Sequence, residues 1–388
     1  METKTYKLDS LCEITSSKRI FYSEYTESGI PFFRSKEIID LFNKNNISTE
    51  LFISESRYNE IKNKFGVPEK DDMLLTSVGS IGIPYLVKSS DKFYFKDGNL
   101  TWFRNYNRKL IVPLYLYLWT TSSVGKETLM RLSMGAAQPA LTISRLKNLS
   151  LNLPSVSVQQ KIASILSSYD RLIENSTRRI RLLEQMAENL YKEWFVRFRF
   201  PEHEKVEMVN GLPKGWKIKK LGEYANISTG KCNREDAEED GIYPLFDRSQ
   251  EIKKSSKWIK DCEAIIVPGE GTSFMPRYYK GKFNLHQRCY CIEPTIKDIG
   301  FYLFYSIMLN RKYFLSVATG ATVPSLRQNN FTKMKLIIAE LELVKKYNKI
   351  ASTIALQIDR LKEQNTLLTR QRDLLLPRLM SGKLEVKS

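Results

Sequence analysis

Two long stretches of this chain place apolar residues at alternating spacings of four and three positions. Both begin with the tetrapeptide Lys-Ile-Ala-Ser, at 161–164 and again at 349–352. This spacing aligns apolar side chains along one helical face, so it predicts two long helices that pair through a heptad seam. The predicted seam contains Ile162, Tyr169, Ile173, Ser176, Ile180 and Leu183 in the first helix and Ile350, Ile358, Leu361, Asn365 and Leu368 in the second. Ser176 and Asn365 occupy matching positions, and polar seam residues fix register at some cost in stability.

The repetition extends to the segments that precede each helix. The matched pairs are 6–13 with 216–223, 73–80 with 265–272, 114–118 with 301–305, 135–141 with 320–326, and 149–153 with 335–339. The second pair consists of apolar runs that end in glycine, which predicts a buried strand entering a tight turn. The third pair is aromatic and predicts core helices, and the last pair predicts closing strands. The chain is therefore an internal repeat of one globular and one helical part.

These patterns predict an α+β protein with two tandem α/β domains, separated and followed by long helices that pair as an antiparallel coiled coil with pseudo-twofold symmetry. The predicted boundaries are 1–154 for the first domain, 155–200 for the first helix, 201–342 for a linker and the second domain, and 343–388 for the second helix. Ser157 and Gln160 fit a capping box at the start of the first helix. Pro377 is expected to stop or kink the second helix.

The charge of the chain points to nucleic acid. Sixty-one Lys and Arg residues face 43 Asp and Glu residues, for a formal charge of +18. A field of this sign favours nucleic acid first and an acidic membrane surface second. The segment after Met1 is polar, which argues against a signal peptide, and the apolar run at 110–119 is too short to span a bilayer. We therefore expect a cytoplasmic protein.

The sequence contains no recognised catalytic or metal-binding motif. Five cysteines form no Cys-x-x-Cys pair and there are two histidines, which argues against a zinc site. Neither a phosphate-binding Gly-x-x-x-x-Gly-Lys-Ser/Thr loop nor an Asn/Asp-Pro-Pro-Tyr/Phe motif is present. The pattern most similar to a metal nuclease, Asp247 followed by residues 251–253 (Glu-Ile-Lys), lacks a Pro-Asp partner. We predict no catalytic residues and no metal.

The remaining candidates for function are side chains in loops that could bind DNA. Arg34, Lys36, Arg248 and Gln250 follow a Pro-aromatic turn in each half, at matching positions once one residue is inserted in the second copy. Arginine pairs with guanine and glutamine with adenine, whereas lysine mainly holds phosphates. For any one of these four residues, the alternative interpretation is an ordinary surface residue with no role in DNA binding. Further DNA-binding candidates are Lys18, Lys231, Arg277, Lys282 and Arg288.

Three segments carry a family resemblance. Residues 188–201 (Glu-Asn-Leu-Tyr-Lys-Glu-Trp-Phe-Val-Arg-Phe-Arg-Phe-Pro), 211–216 (Gly-Leu-Pro-Lys-Gly-Trp) and 372–383 resemble the specificity subunits of type I restriction–modification enzymes. With the duplicated layout, the resemblance covers the full length of the chain. It implies two target-recognition domains, each recognising one half of a bipartite double-stranded DNA target. It also implies that the helices set the spacing of the two halves and dock two methyltransferase subunits.

The same resemblance implies the other partners and the cofactors. Restriction (translocase) subunits would complete the complex, and no membrane would be involved. S-adenosylmethionine, ATP and Mg²⁺ are expected only on partner subunits, with no cofactor in this chain. A helix from Ser157 to about Phe198 would be roughly 60 Å long, and half-sites about 34–36 Å apart, one turn of B-DNA, are favoured.

Two other functions stay open at this point. The chain could be a self-sufficient DNA endonuclease whose active site the motifs do not reveal. It could also be a coiled-coil scaffold whose basic charge is incidental. Cleavage of DNA by the purified chain with Mg²⁺ would favour the endonuclease, and tight sequence-selective DNA binding would exclude the scaffold.

Overall fold

The computed structural model describes residues 2–43, 45, 47–134, 139–320 and 322–386. Contacts divide the chain into two compact units. Unit 1 consists of Met1–Asn175 with Asn365–Ser388, and unit 2 consists of Ser176–Gln364. Each unit therefore combines one globular part with part of each long helix.

The elements are named in chain order. Up to the end of the first long helix they are β1 (Lys4–Lys7), α1 (Leu8–Leu11), β2 (Glu13–Thr15), β3 (Tyr25–Thr26), β4 (Ile30–Phe33), α2 (Ser35–Phe42), β5 (Phe52–Ile53), α3 (Glu55–Phe65), β6 (Met73–Thr76), β7 (Pro84–Leu86), β8 (Tyr94–Phe95), β9 (Leu100–Arg104), α4 (Pro113–Thr121), α5 (Ser123–Ser133), α6 (Ile143–Lys147), β10 (Ser150–Leu153) and α7 (Val156–Tyr191). After it they are β11 (Met208–Val209), β12 (Leu212–Pro213), β13 (Lys217–Lys220), β14 (Ala225–Thr229), β15 (Tyr243–Phe246), β16 (Lys253–Ser255), β17 (Lys260–Pro268), β18 (Arg277–Leu285), β19 (Cys289–Pro294), α8 (Gly300–Leu309), α9 (Arg311–Val317), α10 (Gln328–Thr332), β20 (Lys335–Ile338) and α11 (Leu341–Met380).

The main core of unit 1 lies on an antiparallel sheet with strand order β2-β9-β6-β7. Every residue of β6, Met-Leu-Leu-Thr, is buried, as a continuous apolar run predicts. Met73 and Leu75 share one apolar cluster with Tyr115 of α4 and with Ile162 and Leu166 of α7. A second sheet, β3-β5-β4-β8, contains the parallel pair β4–β8, and β1 pairs with β10.

Unit 2 is built on a six-stranded sheet with the order β14-β19-β17-β18-β15-β16. Strand β17 lies inside it, and Ala264, Ile265, Ile266 and Val267 have no exposed surface. Alternate side chains of a strand point to opposite faces. Accordingly Ile265 and Val267 join one apolar cluster while Ala264 and Ile266 join another. The sheet is thus covered on both faces at this strand.

Equivalent strand pairs in the two units confirm the internal repeat. Strand β1 pairs antiparallel with β10, and β13 pairs antiparallel with β20. The predicted closing strands are therefore present in both halves. The parallel pair β4–β8 has its counterpart in β15–β18, and the aromatic segments form the core helices α4 and α8 as predicted.

The turn that follows the buried strand is also repeated. The backbone N–H of Leu141 donates to the carbonyl of Ser77 at 2.9 Å, and Leu326 donates to Gly269 at 2.8 Å. This supports the alignment of 73–80 with 265–272 and the ends of the segments 135–141 and 320–326. Residues 135–138 and 321 of those segments lie outside the described residues.

The alignment of the opening segments needs a correction. Lys4 lies opposite Leu153 and Lys217 lies opposite Ile338 in the equivalent strand pairs. Tyr6 therefore corresponds to Lys219 and not to Trp216. The aromatic residue at each opening suggested the wrong register, because Trp216 is buried with Phe200 before the strand begins.

Helix α7 begins at Val156, so the predicted capping box at Ser157 and Gln160 is wrong. The preceding glutamine, Gln159, has no exposed surface and ties the start of the helix to the loop before α4. Its carboxamide accepts a hydrogen bond from the Val112 N–H at 3.0 Å. It also donates to the carbonyls of Leu110 at 2.9 Å and Pro154 at 3.0 Å.

In unit 1 the beginning of α7 lies beside the end of α11. Leu379 belongs to the same apolar cluster as Ile162, and Arg372 Nη1 lies 2.7 Å from Asp170 Oδ1. Helix α11 continues through Pro377 to Met380, so the helix does not stop at the proline. Only a short final turn follows the proline, where its missing N–H removes a single helical hydrogen bond.

In unit 2 the end of α7 lies beside the beginning of α11. The Tyr347 hydroxyl donates to the Ala187 carbonyl at 3.2 Å. The ring of Tyr347 also meets the rings of Trp194 and Phe195 edge-on, at centroid distances of 6.2 and 5.3 Å. After Tyr191 the chain forms a π-helical turn, Lys192–Val196, that presents this aromatic group.

The seam of the first helix agrees with its prediction, and that of the second helix needs one correction. Ile350 is 38% exposed, whereas its neighbour Ala351 is 1% exposed. Tyr347 is buried at the preceding seam position, and the next buried apolar residue, four positions later, is Ala351. Ile350 therefore faces solvent. The other predicted seam residues are buried (Ile162, Ile173, Ser176, Ile358 and Leu361) or partly buried (Tyr169, Ile180, Leu183, Asn365 and Leu368).

Candidate nucleic-acid interface

The densest group of predicted DNA-binding residues surrounds Glu270 in unit 2. Arg248 follows β15 and Arg288 precedes β19, and their Nη1 atoms lie 2.5 and 3.2 Å from the two carboxylate oxygens of Glu270. The Glu270 side chain is 17% exposed, whereas the two arginines are about half exposed. Half-exposed guanidinium groups supply donors for phosphate or guanine, and the carboxylate supplies an acceptor for cytosine. Gln250 is exposed in the same loop as Arg248.

Arg277 holds the loop that carries Arg248. Its Nη2 donates to the carbonyl of Asp247 at 2.8 Å and to that of Ser249 at 2.7 Å, and its guanidinium lies over the Phe246 ring. Burial lowers the pKa of Arg277 from its ordinary value. Arg277 therefore stabilises the loop, and its contact with DNA stays a prediction that this environment disfavours.

Asp247, the acid of the nuclease-like pattern, is buried, and both of its carboxylate oxygens contact neighbouring groups. Its Oδ1 accepts from the Ser249 backbone N–H at 2.7 Å, and its Oδ2 lies 3.0 Å from Lys253 Nζ. Burial alone would raise the pKa of Asp247, but the Ser249 hydroxyl and the Lys253 ammonium outweigh it and lower the pKa to about 2. The group is an anchor for the loop after β15.

Arg34 stands at the start of α2 in unit 1. Its backbone N–H donates to Glu37 Oε2 at 2.7 Å, and its Nη2 lies 2.9 Å from Glu37 Oε1. The Glu37 side chain has no exposed surface. Burial favours the protonated acid, but Arg34 outweighs it and holds the pKa of Glu37 below its ordinary value. Lys36, on the same helix, is exposed.

The predicted equivalence of Arg34 with Arg248 and of Lys36 with Gln250 stays a prediction. Phe33 of β4 and Phe246 of β15 occupy the same place in the equivalent parallel pairs. This register agrees with the alignment of the two halves, in which the inserted residue, Asp247, directly follows Phe246. The loops then differ, because unit 1 continues into α2 and unit 2 continues into a loop held by Arg277. The role of each residue in DNA binding stays a prediction.

The three other candidate lysines, besides Lys36, are exposed, and two of them lie on aromatic rings. Lys18 Nζ lies 4.8 Å from the centre of the Phe65 ring, and Lys282 Nζ lies 4.7 Å from that of Trp258. Lys231 is exposed, and its backbone N–H donates to the Leu285 carbonyl. Lys18 and Lys231 occupy matching loops after β2 and β14, as the sequence predicts.

The motifs did not reveal a pair of matching turns that follow these two lysines. Each is a single 3₁₀ turn, Tyr22–Glu24 in unit 1 and Arg234–Asp236 in unit 2. An acidic side chain closes each turn by accepting the N–H of the residue before it, from Phe21 to Glu24 and from Asn233 to Asp236, both at 2.7 Å. An acid three positions after that residue is the sequence signal, and it is too common to stand out alone.

The described part of the chain contains neither a grouped set of metal ligands nor a membrane-spanning helix. Among residues 2–43, 45, 47–134, 139–320 and 322–386, no group of three or more His, Cys, Asp or Glu side chains is placed to hold a metal ion. Within the same ranges, no helix combines the length and the apolar character needed to cross a membrane.

Comparison with known proteins gives a match over most of the chain. The family profile described as "Type I restriction modification DNA specificity domain" matches residues 1–185 and 213–370. The type I restriction enzyme MjaIX specificity subunit of Methanocaldococcus jannaschii is 29% identical over 346 residues, which cover 82% of this chain and 78% of that protein. The EcoDI specificity subunit of Escherichia coli is 32% identical over 177 residues, which cover 45% of this chain and 39% of that protein.

The fold has a counterpart among solved structures. The crystal structure of the S subunit of a type I restriction-modification system from M. genitalium aligns over 100% of this chain and 97% of that chain. The TM-score is 0.66 at 19% sequence identity. The two chains therefore share a fold.

Proposed function

Because the chain belongs to the type I restriction–modification DNA specificity family, as the specificity subunit of such a system, we propose that each of its globular domains recognises one half of a bipartite DNA target. Residues 1–154 would bind one half-site and residues 201–342 the other. The long helices would set the number of unrecognised base pairs between the halves and dock two methyltransferase subunits.

The observation that carries this proposal is that the two globular parts share equivalent strand pairs but differ in the side chains of their loops. The strand pairs β1–β10 and β13–β20 are equivalent. The loops that follow the equivalent strands β4 and β15 nevertheless differ, with Arg34 bound to Glu37 in one and Arg248 bound to Glu270 in the other. Two copies with different loop residues suit two different half-sites, and the charge of +18 suits the phosphate backbone.

The chain is the non-catalytic recognition subunit of its complex. Its partners are double-stranded DNA and the methyltransferase and restriction subunits. We expect S-adenosylmethionine, ATP and Mg²⁺ to be bound by those subunits and not by this chain. We further propose that the complex acts in the cytoplasm, where a restriction system meets both the host DNA and the incoming DNA.

The experiment is to assemble the chain with its methyltransferase subunits and to determine which sequences are methylated. A motif of two short half-sites separated by unspecified bases is expected. A single continuous motif would contradict the proposal. The endonuclease alternative is tested with the purified chain, DNA and Mg²⁺, where we expect no cleavage.

A further inference from the structure

The turn Tyr22–Glu24 in unit 1 presents two aromatic side chains to solvent. Tyr22 is 91% exposed and the adjacent Phe21 is 62% exposed. Neither belongs to an apolar cluster of the unit, although the preceding Ile20 and the following Tyr25 both do. The Tyr22 ring has one described aromatic neighbour, Tyr25, at a centroid distance of 6.2 Å. The two exposed rings therefore contribute little to the core.

The backbone that carries these rings is nevertheless held at several points. Ile20 is 7% exposed and anchors the loop in the core. Glu24 closes the turn through the Phe21 N–H at 2.7 Å, and its other oxygen lies 2.7 Å from Arg57 Nε. On the other side, the Lys18 N–H donates to the Tyr94 hydroxyl at 2.7 Å. A loop fixed in this way loses little conformational entropy when it binds a partner.

The charge beside the rings suits a polyanion. Lys18 and Arg19 precede the rings in the chain, separated from them by Ile20. The Arg19 side chain is 69% exposed and lies 2.9 Å from Asp97. Exposed aromatic rings flanked by cations are typical of surfaces on which bases stack next to a contacted phosphate. An apolar side chain that enters between base pairs unstacks them, and that cost is repaid by closer contact with the protein.

We propose that Tyr22, which lies next to the exposed Phe21 in the chain, is a wedge that enters the duplex at one base step of the half-site bound by the first domain. The proposal rests on the proposed function, because it assigns a contact within a recognised half-site. It makes Tyr22 a specificity-determining residue, since the energy needed to unstack a step depends on its sequence. Steps of pyrimidine followed by purine are the easiest to unstack.

The matching turn of unit 2 presents a different side chain at the same place. Arg234 is exposed at the position equivalent to Tyr22, and the Asn233 side chain before it accepts a hydrogen bond from Gln287 at 2.6 Å. A guanidinium binds base edges or phosphates and does not need an unstacked step. The two domains would thus use one turn in two modes, with a wedge in the first and a hydrogen-bond donor in the second.

The test uses the complex of this chain with its methyltransferase subunits and duplexes that carry the methylated motif. One series leaves the half-site intact, and a second series has an abasic site at each successive step. Tyr22→Ala should bind the intact duplex about five- to a hundredfold more weakly, the usual effect of removing one stacked aromatic ring. An abasic site at the step that the ring enters should strengthen binding by the wild type, because no base has to be unstacked there. The same abasic site should not change the affinity of Tyr22→Ala.

Three further variants sharpen the test. Tyr22→Phe should bind as the wild type does, because the ring and not the hydroxyl acts. Arg234→Ala should weaken binding without any step-specific effect of an abasic site in the first half-site. Met130→Ala removes another exposed apolar side chain of unit 1 (48% exposed) and should change nothing.

Two results would overturn the wedge and leave the proposed function intact. One is equal binding of the intact duplex by wild type and Tyr22→Ala. The other is a Tyr22→Ala chain that no longer assembles with the methyltransferase subunits, which would make the rings a protein-docking surface. A wild-type complex without any preference for a bipartite motif would contradict the proposed function itself.

Discussion

Glu37 in unit 1 has no exposed surface, and its charge partner is the guanidinium of Arg34. Removing one partner of a buried ion pair leaves an uncompensated charge and is strongly destabilising, whereas replacing both partners costs far less. This makes Arg34 a residue whose loss would weaken DNA binding indirectly, through the fold of α2. Its effect must therefore be separated from that of a true base contact.

Arg34→Ala is expected to destabilise the protein by about 2–4 kcal/mol, somewhat less than the roughly 3–5 kcal/mol typical of fully buried pairs, because Arg34 is partly exposed. Adding Glu37→Gln should recover most of this loss. Urea unfolding of the single and double variants measures it. If the double variant is stable but tolerates any base at one position of the first half-site, Arg34 contacts that base and the structural account of Arg34 is incomplete.

Asp72 is a buried carboxyl whose pKa is raised from its ordinary value to about 6. Burial is the main cause and exceeds the opposing hydrogen bonds from the Glu69 N–H and the Trp102 indole, at 3.0 and 2.8 Å. The folded protein holds this proton more tightly than the unfolded chain does. Its contribution to stability is therefore present below the ordinary pKa of 3.8 and is lost as the pH rises to about 6.

The expected result for Asp72→Asn is a change in the pH dependence of stability. Relative to the variant, the wild type should lose about 2–3 kcal/mol of unfolding free energy as the pH rises through this window, and the difference should be constant at higher pH. Urea unfolding at a series of pH values, followed by tryptophan fluorescence, measures it. A difference that does not vary with pH would show that Asp72 titrates normally.

At the scale of elements, Gln159 joins the start of α7 to the segment before α4. Gln159→Ala would leave the partly buried Val112 N–H and the carbonyls of Leu110 and Pro154 without this partner, and should cost about 2–4 kcal/mol. The matched control is Gln160→Ala at the exposed neighbouring position, which should change stability by less than about 0.5 kcal/mol. Thermal unfolding of both variants measures these losses of stability, and equal losses in the two variants would contradict the role given to Gln159.

The elements that the sequence predicts well are those with a strong hydrophobic pattern. The buried runs of β6 and β17, the aromatic helices α4 and α8, and the long helices all follow from periodicity and repetition. Register was predicted less well, as the opening strands and Ile350 show. An aromatic residue or a seam position can be shifted by a few residues without breaking the pattern, and tertiary packing around Trp216 and Tyr347 decides the outcome.

The candidate interface was predictable only in part for a related reason. Lys18 and Lys231 follow equivalent strands, so the alignment of the halves places them correctly. The equivalence of Arg34 and Arg248 stays a prediction, because the loops after the matched strands differ, with α2 in one half and no counterpart of it among the described residues of the other. The exposure of Tyr22 depends on its neighbours Ile20 and Glu24 holding the turn, which no periodicity reveals.

At the scale of the whole molecule, the helices are proposed to set the spacing of the half-sites. One heptad inserted after Glu184 and another after Leu361 adds about 10 Å of helix, equivalent to about three base pairs. These sites suit a paired insertion because Lys362 Nζ lies 3.9 Å from Glu184 Oε1 in unit 2. The complex should then methylate both original half-sites with a longer spacer. Undiminished methylation at the original spacing would show that the helices do not set it.

The most direct test of the account exchanges one domain and reads out the methylated motif. Residues 211–342 are replaced with the corresponding segment of another specificity subunit, and the chain is expressed with its methyltransferase subunits in cells whose methylome is sequenced. Because each domain is an independent copy of one scaffold, we predict that one half of the bipartite motif changes while the other half and the spacer are kept. A change in both halves, or a motif without two separate halves, would contradict the account.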